Sequence, residues 1–154
     1  MSKTCCRTTS VGLHRRNPSR PVSLTLRATF DTLLSSASAF VDKPILADIY
    51  IAPAADFPNA RDFAYCHVEP DWAGKRLIGV APKLEVQKAE RVVALLMHEI
   101  AHAALMQMGV PDHSEREADQ MAEALWDVPL YYDSEYVQTL REGGIRPRPS
   151  HLPR

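Results

Sequence analysis

The sequence of 154 residues has few cysteines and no long apolar run. Its three cysteines, Cys5, Cys6 and Cys66, are an odd number without regular spacing, which argues against a disulfide framework and favours a reducing compartment. No stretch approaches the roughly 18 apolar residues that a membrane-spanning helix needs. Basic residues near the N-terminus are not followed by an apolar segment, so we expect no secretory signal and a cytoplasmic location.

Charge of both signs is present but unevenly distributed. Residues 1–21 carry five basic side chains and no acidic one, and residues 141–154 carry four arginines and one glutamate. The segment between them carries nine basic and eighteen acidic residues, which gives it a formal charge of −9. An acidic body with basic ends suits a cation site and argues against a nucleic-acid partner. The basic ends are typical of solvated tails.

Composition divides the chain into one domain between two tails. Residues 1–20 are polar and aperiodic, which predicts a flexible basic segment. Residues 136–154 contain Gly143, Gly144 and three prolines, which predict an irregular Pro/Arg-rich tail. The domain is therefore expected to occupy residues 21–135, a length that can form a core without disulfides.

Apolar periodicity within the domain predicts alternating helical and extended segments. The helical pattern covers residues 22–41, 86–108 and 114–126. The β-rich segments are residues 45–52, 63–68 and 76–80. Gly109 is expected to end the second helix, and the third has two candidate capping boxes, Ser114 with Glu117 and Asp112 with Glu115. This pattern predicts an α+β fold with a small, mostly antiparallel sheet.

The strongest functional signal is the spacing of two histidines on the second predicted helix. His98 and His102 are four residues apart, which turns an α-helix by about 400° and places both imidazoles on one face, where they can bind the same zinc ion. Glu99 is placed to take a proton from a metal-activated water and to deliver it to a leaving amine. The alternative, an ordinary amphipathic helix, would bury three polar side chains at a cost on the order of several kcal/mol.

A catalytic zinc site needs a third protein ligand, and the following helix offers candidates. They are Asp112, His113, Glu115, Glu117 and Asp119. Glu115 precedes Ala118 by three residues and shares the inner face of the helix, whereas Glu117 is turned towards solvent or the cap. Asp119 lies one turn after Glu115, where it can accept a hydrogen bond from a ligand imidazole.

The pattern His98-Glu99-x-x-His102, followed by Glu115-Arg116-Glu117-Ala118-Asp119, resembles the gluzincin metallopeptidases. In size the chain is similar to the single-domain minigluzincins and to the peptidase domain of ImmA/IrrE-type proteins, which cleave repressors. The resemblance covers roughly residues 86–126. It implies a zincin-like fold with an active-site helix and a following glutamate helix, and it makes Glu115 the third zinc ligand and Asp119 an acid behind a ligand imidazole. It also suggests residues 76–80 as the edge strand that binds extended peptide.

Two features leave alternatives open. The group that would stabilise the oxyanion is not singled out by the sequence, and the candidates are Tyr131, Tyr132, His113 and Arg141. Cys66 and His67 stand together in a predicted strand, where alternation predicts one buried and one exposed side chain. The alternative for Cys66 is a thiolate that caps the zinc in a latent form.

We therefore expect a zinc metallopeptidase that binds one Zn²⁺ and acts on a peptide or protein substrate, with no membrane contact and with a monomer favoured. One alternative is a catalytically silent zinc-binding module that regulates or binds a partner. Another is a DNA-associated protease whose basic tails contact phosphate. Two histidines and one carboxylate also accept divalent metals other than zinc.

Overall fold

The computed structural model describes residues 6–9, 20–38 and 43–126. Within these ranges the chain forms four strands and three α-helices. In chain order they are β1 (Cys6–Thr9), α1 (Leu24–Ser38), β2 (Ala47–Ile51), β3 (Ala64–His67), β4 (Arg76–Val80), α2 (Ala89–Gln107) and α3 (Glu115–Trp126). Two 3-10 turns, Ala54–Asp56 and Pro82–Val86, precede β3 and α2. The predicted α+β class is confirmed.

The sheet is mixed, and the prediction of a mostly antiparallel sheet is wrong. Its strand order is β1-β3-β4-β2, and only β3 and β4 pair in the antiparallel sense. Both outer pairs, β1 with β3 and β2 with β4, are parallel. The turn over residues 68–75 is short enough to join β3 and β4 as a hairpin. β2 pairs with β4 rather than with its neighbour in sequence, and side-chain alternation contains no information on that choice of partner.

The position of β4 contradicts the expectation that residues 76–80 form an edge strand, because β4 lies between β3 and β2. The outer edge of β3 is instead paired with β1, in the register Thr8 with Cys66. β1 lies in the segment predicted to be flexible, and residues 6–9 of that segment form a strand. An edge strand held by backbone hydrogen bonds needs no apolar periodicity, which is why the sequence pattern did not reveal it.

The second helix is the centre of the core. Every residue of α2 from Ala94 to Met106 is buried, because α1, α3 and the sheet pack around it. Its apolar side chains join those of the other elements, among them Phe30 of α1, Ile78 of β4 and Leu125 of α3. Each such side chain contributes about 1.5–3 kcal/mol through burial. Polar residues of α2 are consequently placed inside the protein rather than on its surface.

The connection from α2 to α3 is fixed by helix-end hydrogen bonds. Gly109 has a φ of +89°, and its N–H donates to the Met106 carbonyl, while the Val110 N–H donates to the Leu105 carbonyl. These two bonds form the Schellman motif that a glycine in the left-handed region permits. The glycine end predicted for this helix is therefore confirmed, and the short loop that follows makes α2 and α3 neighbours.

The capping box at the start of α3 is formed by Ser114 and Glu117. The Glu117 N–H donates to Ser114 Oγ at 3.0 Å, and the Ser114 N–H donates to Glu117 Oε1 at 2.7 Å. This pair of hydrogen bonds holds the carboxylate of Glu117 at the N-terminus of α3. Glu115 takes no part in it, so its carboxylate is available to face α2. No helix in the described part of the chain has the length and apolar character required to cross a bilayer.

Candidate metal centre

Three side chains from α2 and α3 converge on one point. His98 Nε2 lies 2.7 Å from Glu115 Oε1, His102 Nε2 lies 3.2 Å from the same oxygen, and the two Nε2 atoms are 3.1 Å apart. The histidines are one turn apart on α2, and Glu115 is the first residue of α3. The structure thus brings together the three residues that the sequence analysis proposed as ligands.

The spacing of these atoms fits a small cation. Zinc binds histidine nitrogen at about 2.0–2.1 Å, and tetrahedral angles then place neighbouring ligand atoms roughly 3.3 Å apart. The separations of 3.1 and 3.2 Å are close to that value, whereas the 2.7 Å contact of His98 with Glu115 has the length of a hydrogen bond. One ligand atom from each of the three residues lies within 4.8 Å of the other two. The donor set of two imidazoles and one carboxylate suits zinc and other first-row divalent metals. His98, His102 and Glu115 therefore form a candidate metal-binding group.

Each histidine also has a partner for its second ring nitrogen. His98 Nδ1 lies 2.8 Å from Asp119 Oδ1, which matches the hydrogen bond proposed for Asp119. His102 Nδ1 lies 2.7 Å from His113 Nε2, and His113 Nδ1 lies 2.7 Å from the Val110 carbonyl oxygen. Both nitrogens of His113 are thus engaged behind the His102 ring. The suggested role of His113 in stabilising a transition state stays a prediction.

The pKa values of the three candidate ligands are shifted in different directions. Burial lowers the pKa of His98, but hydrogen bonds with Asp119 and Glu115 outweigh it and raise that pKa to about 9. Burial lowers the pKa of His102, and the nearby His98 lowers it further. Burial raises the pKa of Glu115, but the two histidines hold it well below its usual range. Without metal, the group at neutral pH therefore consists of one imidazolium, one neutral imidazole and one carboxylate.

Glu99 is fully buried between the metal group and the sheet. Its exposed fraction is 0%, and those of His98 and His102 are 1% each. Its charge helps to raise the pKa of His98. It also raises the pKa of the Cys66 thiol on β3, where burial is the larger cause. Glu99 therefore lies where α2 faces β3, next to a ligand histidine.

Cys66 and His67 are both buried, so the prediction that one of them is exposed is wrong. Cys66 faces α2 in the apolar core, and burial raises its pKa, which argues against a thiolate that caps a metal. His67 points to the opposite face of the sheet, which the chain between β2 and β3 covers. There its Nε2 lies 2.8 Å from Tyr50 Oη.

A polar cluster that was not predicted from the sequence lies on this second face. Tyr50 Oη lies 3.2 Å from Tyr65 Oη, and the Tyr65 hydroxyl donates to Asp56 Oδ2 at 2.7 Å. Burial raises the pKa of Tyr50 to about 12. The signal that could have revealed the cluster is the period of two that puts Tyr65 and His67 on one side of β3. The cluster lies across the sheet from the metal group.

No family model matches this chain, and neither the curated proteins nor the solved structures give a significant match. The resemblance to gluzincins therefore depends on the residues of α2 and α3 themselves. The other oxyanion candidates, Tyr131, Tyr132 and Arg141, lie outside the described residues.

Proposed function

We propose that this chain is a zinc-dependent peptidase of the gluzincin type. The observation that supports it best is the convergence of His98, His102 and Glu115, with the carboxylate of Glu99 one residue from a ligand. A buried cluster of these side chains is costly for a domain of this size unless it binds something. The order of the predicted ligands along the chain and the contact between α2 and α3 are consistent with this function.

Each of these residues has a separate role in the proposed hydrolysis. A zinc ion bound by the three ligands would polarise the scissile carbonyl and lower the pKa of an attacking water. Glu99 accepts the proton of that water and delivers it to the leaving amine. Asp119 accepts the Nδ1 hydrogen of His98, which leaves the Nε2 lone pair of deprotonated His98 available for the metal. Glu115 supplies a negative charge that offsets part of the charge of the cation.

The test begins with the metal content of the purified full-length chain, determined by elemental analysis. We expect one zinc per chain in the parent and none in His98→Ala or Glu115→Ala, because each substitution removes a ligand. Glu117→Gln is a matched control, because this residue is on the same helix but its carboxylate binds the cap. A parent that takes up no zinc from dilute solution would refute the proposal.

Catalysis is tested with Glu99→Gln and a broad peptide library. The glutamine is nearly isosteric, so the variant should keep its zinc, but it cannot accept a proton and should lose cleavage by at least about 100-fold. A variant that cleaves peptides as fast as the parent would rule out Glu99 as the general base.

A second function is supported by the burial of the group. Glu99, His98 and His102 are closed to solvent, as in a zinc-binding module that regulates or binds a partner without turnover. Such a module would bind one zinc, lose much of its thermal stability when the zinc is removed, and leave the peptide library uncut. Both functions predict one zinc per chain, so cleavage of the peptide library is the measurement that distinguishes them.

A further inference from the structure

The loop between α2 and α3 places a third histidine against the candidate metal centre. His113 Nε2 lies 2.7 Å from His102 Nδ1, and His113 Nδ1 lies 2.7 Å from the carbonyl oxygen of Val110. Val110 directly follows Gly109, whose left-handed conformation ends α2. The turn that closes the helix therefore also holds the carbonyl that orients His113.

The donors and acceptors in this chain of contacts can be assigned one by one. The Val110 carbonyl oxygen only accepts, so His113 Nδ1 has the hydrogen and donates it. In its neutral form the His113 imidazole has a single N–H, so Nε2 of that form has a lone pair and accepts. His102 Nδ1 therefore donates, and the lone pair of His102 is on Nε2. That nitrogen is the one that faces His98 Nε2 at 3.1 Å and Glu115 Oε1 at 3.2 Å.

We propose that His113 is a positioning residue, which holds His102 in the tautomer and orientation that present Nε2 to a metal. This inference rests on the proposed metal site. It assigns to His113 the task that Asp119 performs for His98. The two devices differ in charge. Three carboxylates, those of Glu99, Glu115 and Asp119, already surround the site. The imidazole of His113 orients His102 without adding a fourth negative charge.

Two substitutions separate the two contacts of His113. A glutamine amide reaches about as far as Nε2 and keeps an acceptor for His102, whereas an asparagine amide reaches about as far as Nδ1 and keeps only the contact with Val110. Zinc affinity is measured by competition with a chelator in the full-length chain. We expect His113→Asn to weaken binding about 10–100-fold and His113→Gln to restore most of that loss. Equal losses in both variants, or no loss in either, would overturn the proposal.

The tautomer itself is measured by ¹⁵N NMR of histidine-labelled, metal-free protein, with His102→Gln used to assign the signals. His102 of the parent should have its hydrogen on Nδ1, and His113→Asn should shift the ring towards a mixture of tautomers. A purely structural role of His113 would leave that ratio unchanged. A parent with the hydrogen on Nε2 would refute the inference.

Neither measurement uses peptide cleavage. A chain that binds zinc and responds to these variants but cuts no peptide would refute the peptidase function and leave the role of His113 intact. A chain that binds no zinc would refute the proposed function, and the NMR measurement would still decide whether His113 sets the tautomer. Unfolding of the metal-free variants by urea shows that the comparison is made between folded proteins.

Discussion

Zinc binding to this chain should displace a proton near neutral pH, and the proton should come from His98. Hydrogen bonds with Asp119 and Glu115 overcome the effect of burial and raise the pKa of His98 from 6.5 to about 9. The pKa of Glu115 is well below its usual range, and that of His102 is lowered. Between pH 6.5 and 9, His98 is therefore the ligand that must lose a proton before it can bind a metal.

The size of the effect follows from the shift. A pH of 7 is about two units below the pKa of His98. The need to remove the proton from His98 therefore weakens zinc binding about 100-fold, or ~2.7 kcal/mol, relative to binding above pH 9. An unshifted histidine would weaken binding less than about twofold at the same pH. The stability of the metal-free folded protein changes with pH in the opposite direction to zinc affinity. A raised pKa stabilises the folded state fully below pH 6.5, and that contribution is lost as pH rises through about 9.

Two assays test this prediction. An NMR titration of metal-free protein should give His98 a midpoint near 9, and zinc affinity should rise about tenfold per pH unit between pH 7 and 8. Asp119→Asn removes the charged acceptor, so it should lower the midpoint of His98 and reduce the slope. A parent midpoint near 6.5, or an affinity that does not change over this range, would refute the reasoning.

Two further predictions concern stability and are measured by urea or thermal unfolding. In Gly79→Ala the new Cβ would lie 2.7 Å from Tyr65 Cε1 and 2.8 Å from Tyr50 Oη, so we expect a loss of about 1–3 kcal/mol; unchanged stability would mean that these rings move freely. Ser114→Ala removes the acceptor for the Glu117 N–H and should cost about 1 kcal/mol. A variant as stable as the parent would show that the cap contributes nothing.

The helices and the ligand positions could be predicted because they depend on local spacing. The four-residue interval between His98 and His102 fixes a shared face wherever the helix packs. Two candidate capping boxes, Ser114 with Glu117 and Asp112 with Glu115, bracketed the start of α3, and either one places Glu115 in its first turn. Gly109 identified the end of α2 for a similar reason.

The features that escaped prediction depend on contacts between distant segments. The pairing of β2 with β4 places β4 inside the sheet, and nothing in residues 76–80 specifies that partner. His67 is buried because the chain between β2 and β3 folds over it, which the alternation within β3 does not reveal. His113 contacts the Nδ1 side of His102 through the path of a loop, and loop geometry is the part of a fold least determined by periodicity.

Burial of the site makes metal binding and peptide cleavage separate requirements. The Glu115 side chain is 37% exposed, so a metal ion or water can approach from the side of α3, but Glu99 is fully buried. A peptide carbonyl must come close to both, so cleavage requires a movement that metal binding does not. The charge of Glu99 favours the protonated form of His98 and would also attract a bound cation, so a silent zinc site could use this carboxylate as well. Loss of cleavage with zinc retained in Glu99→Gln is therefore the result that separates the peptidase from the silent module.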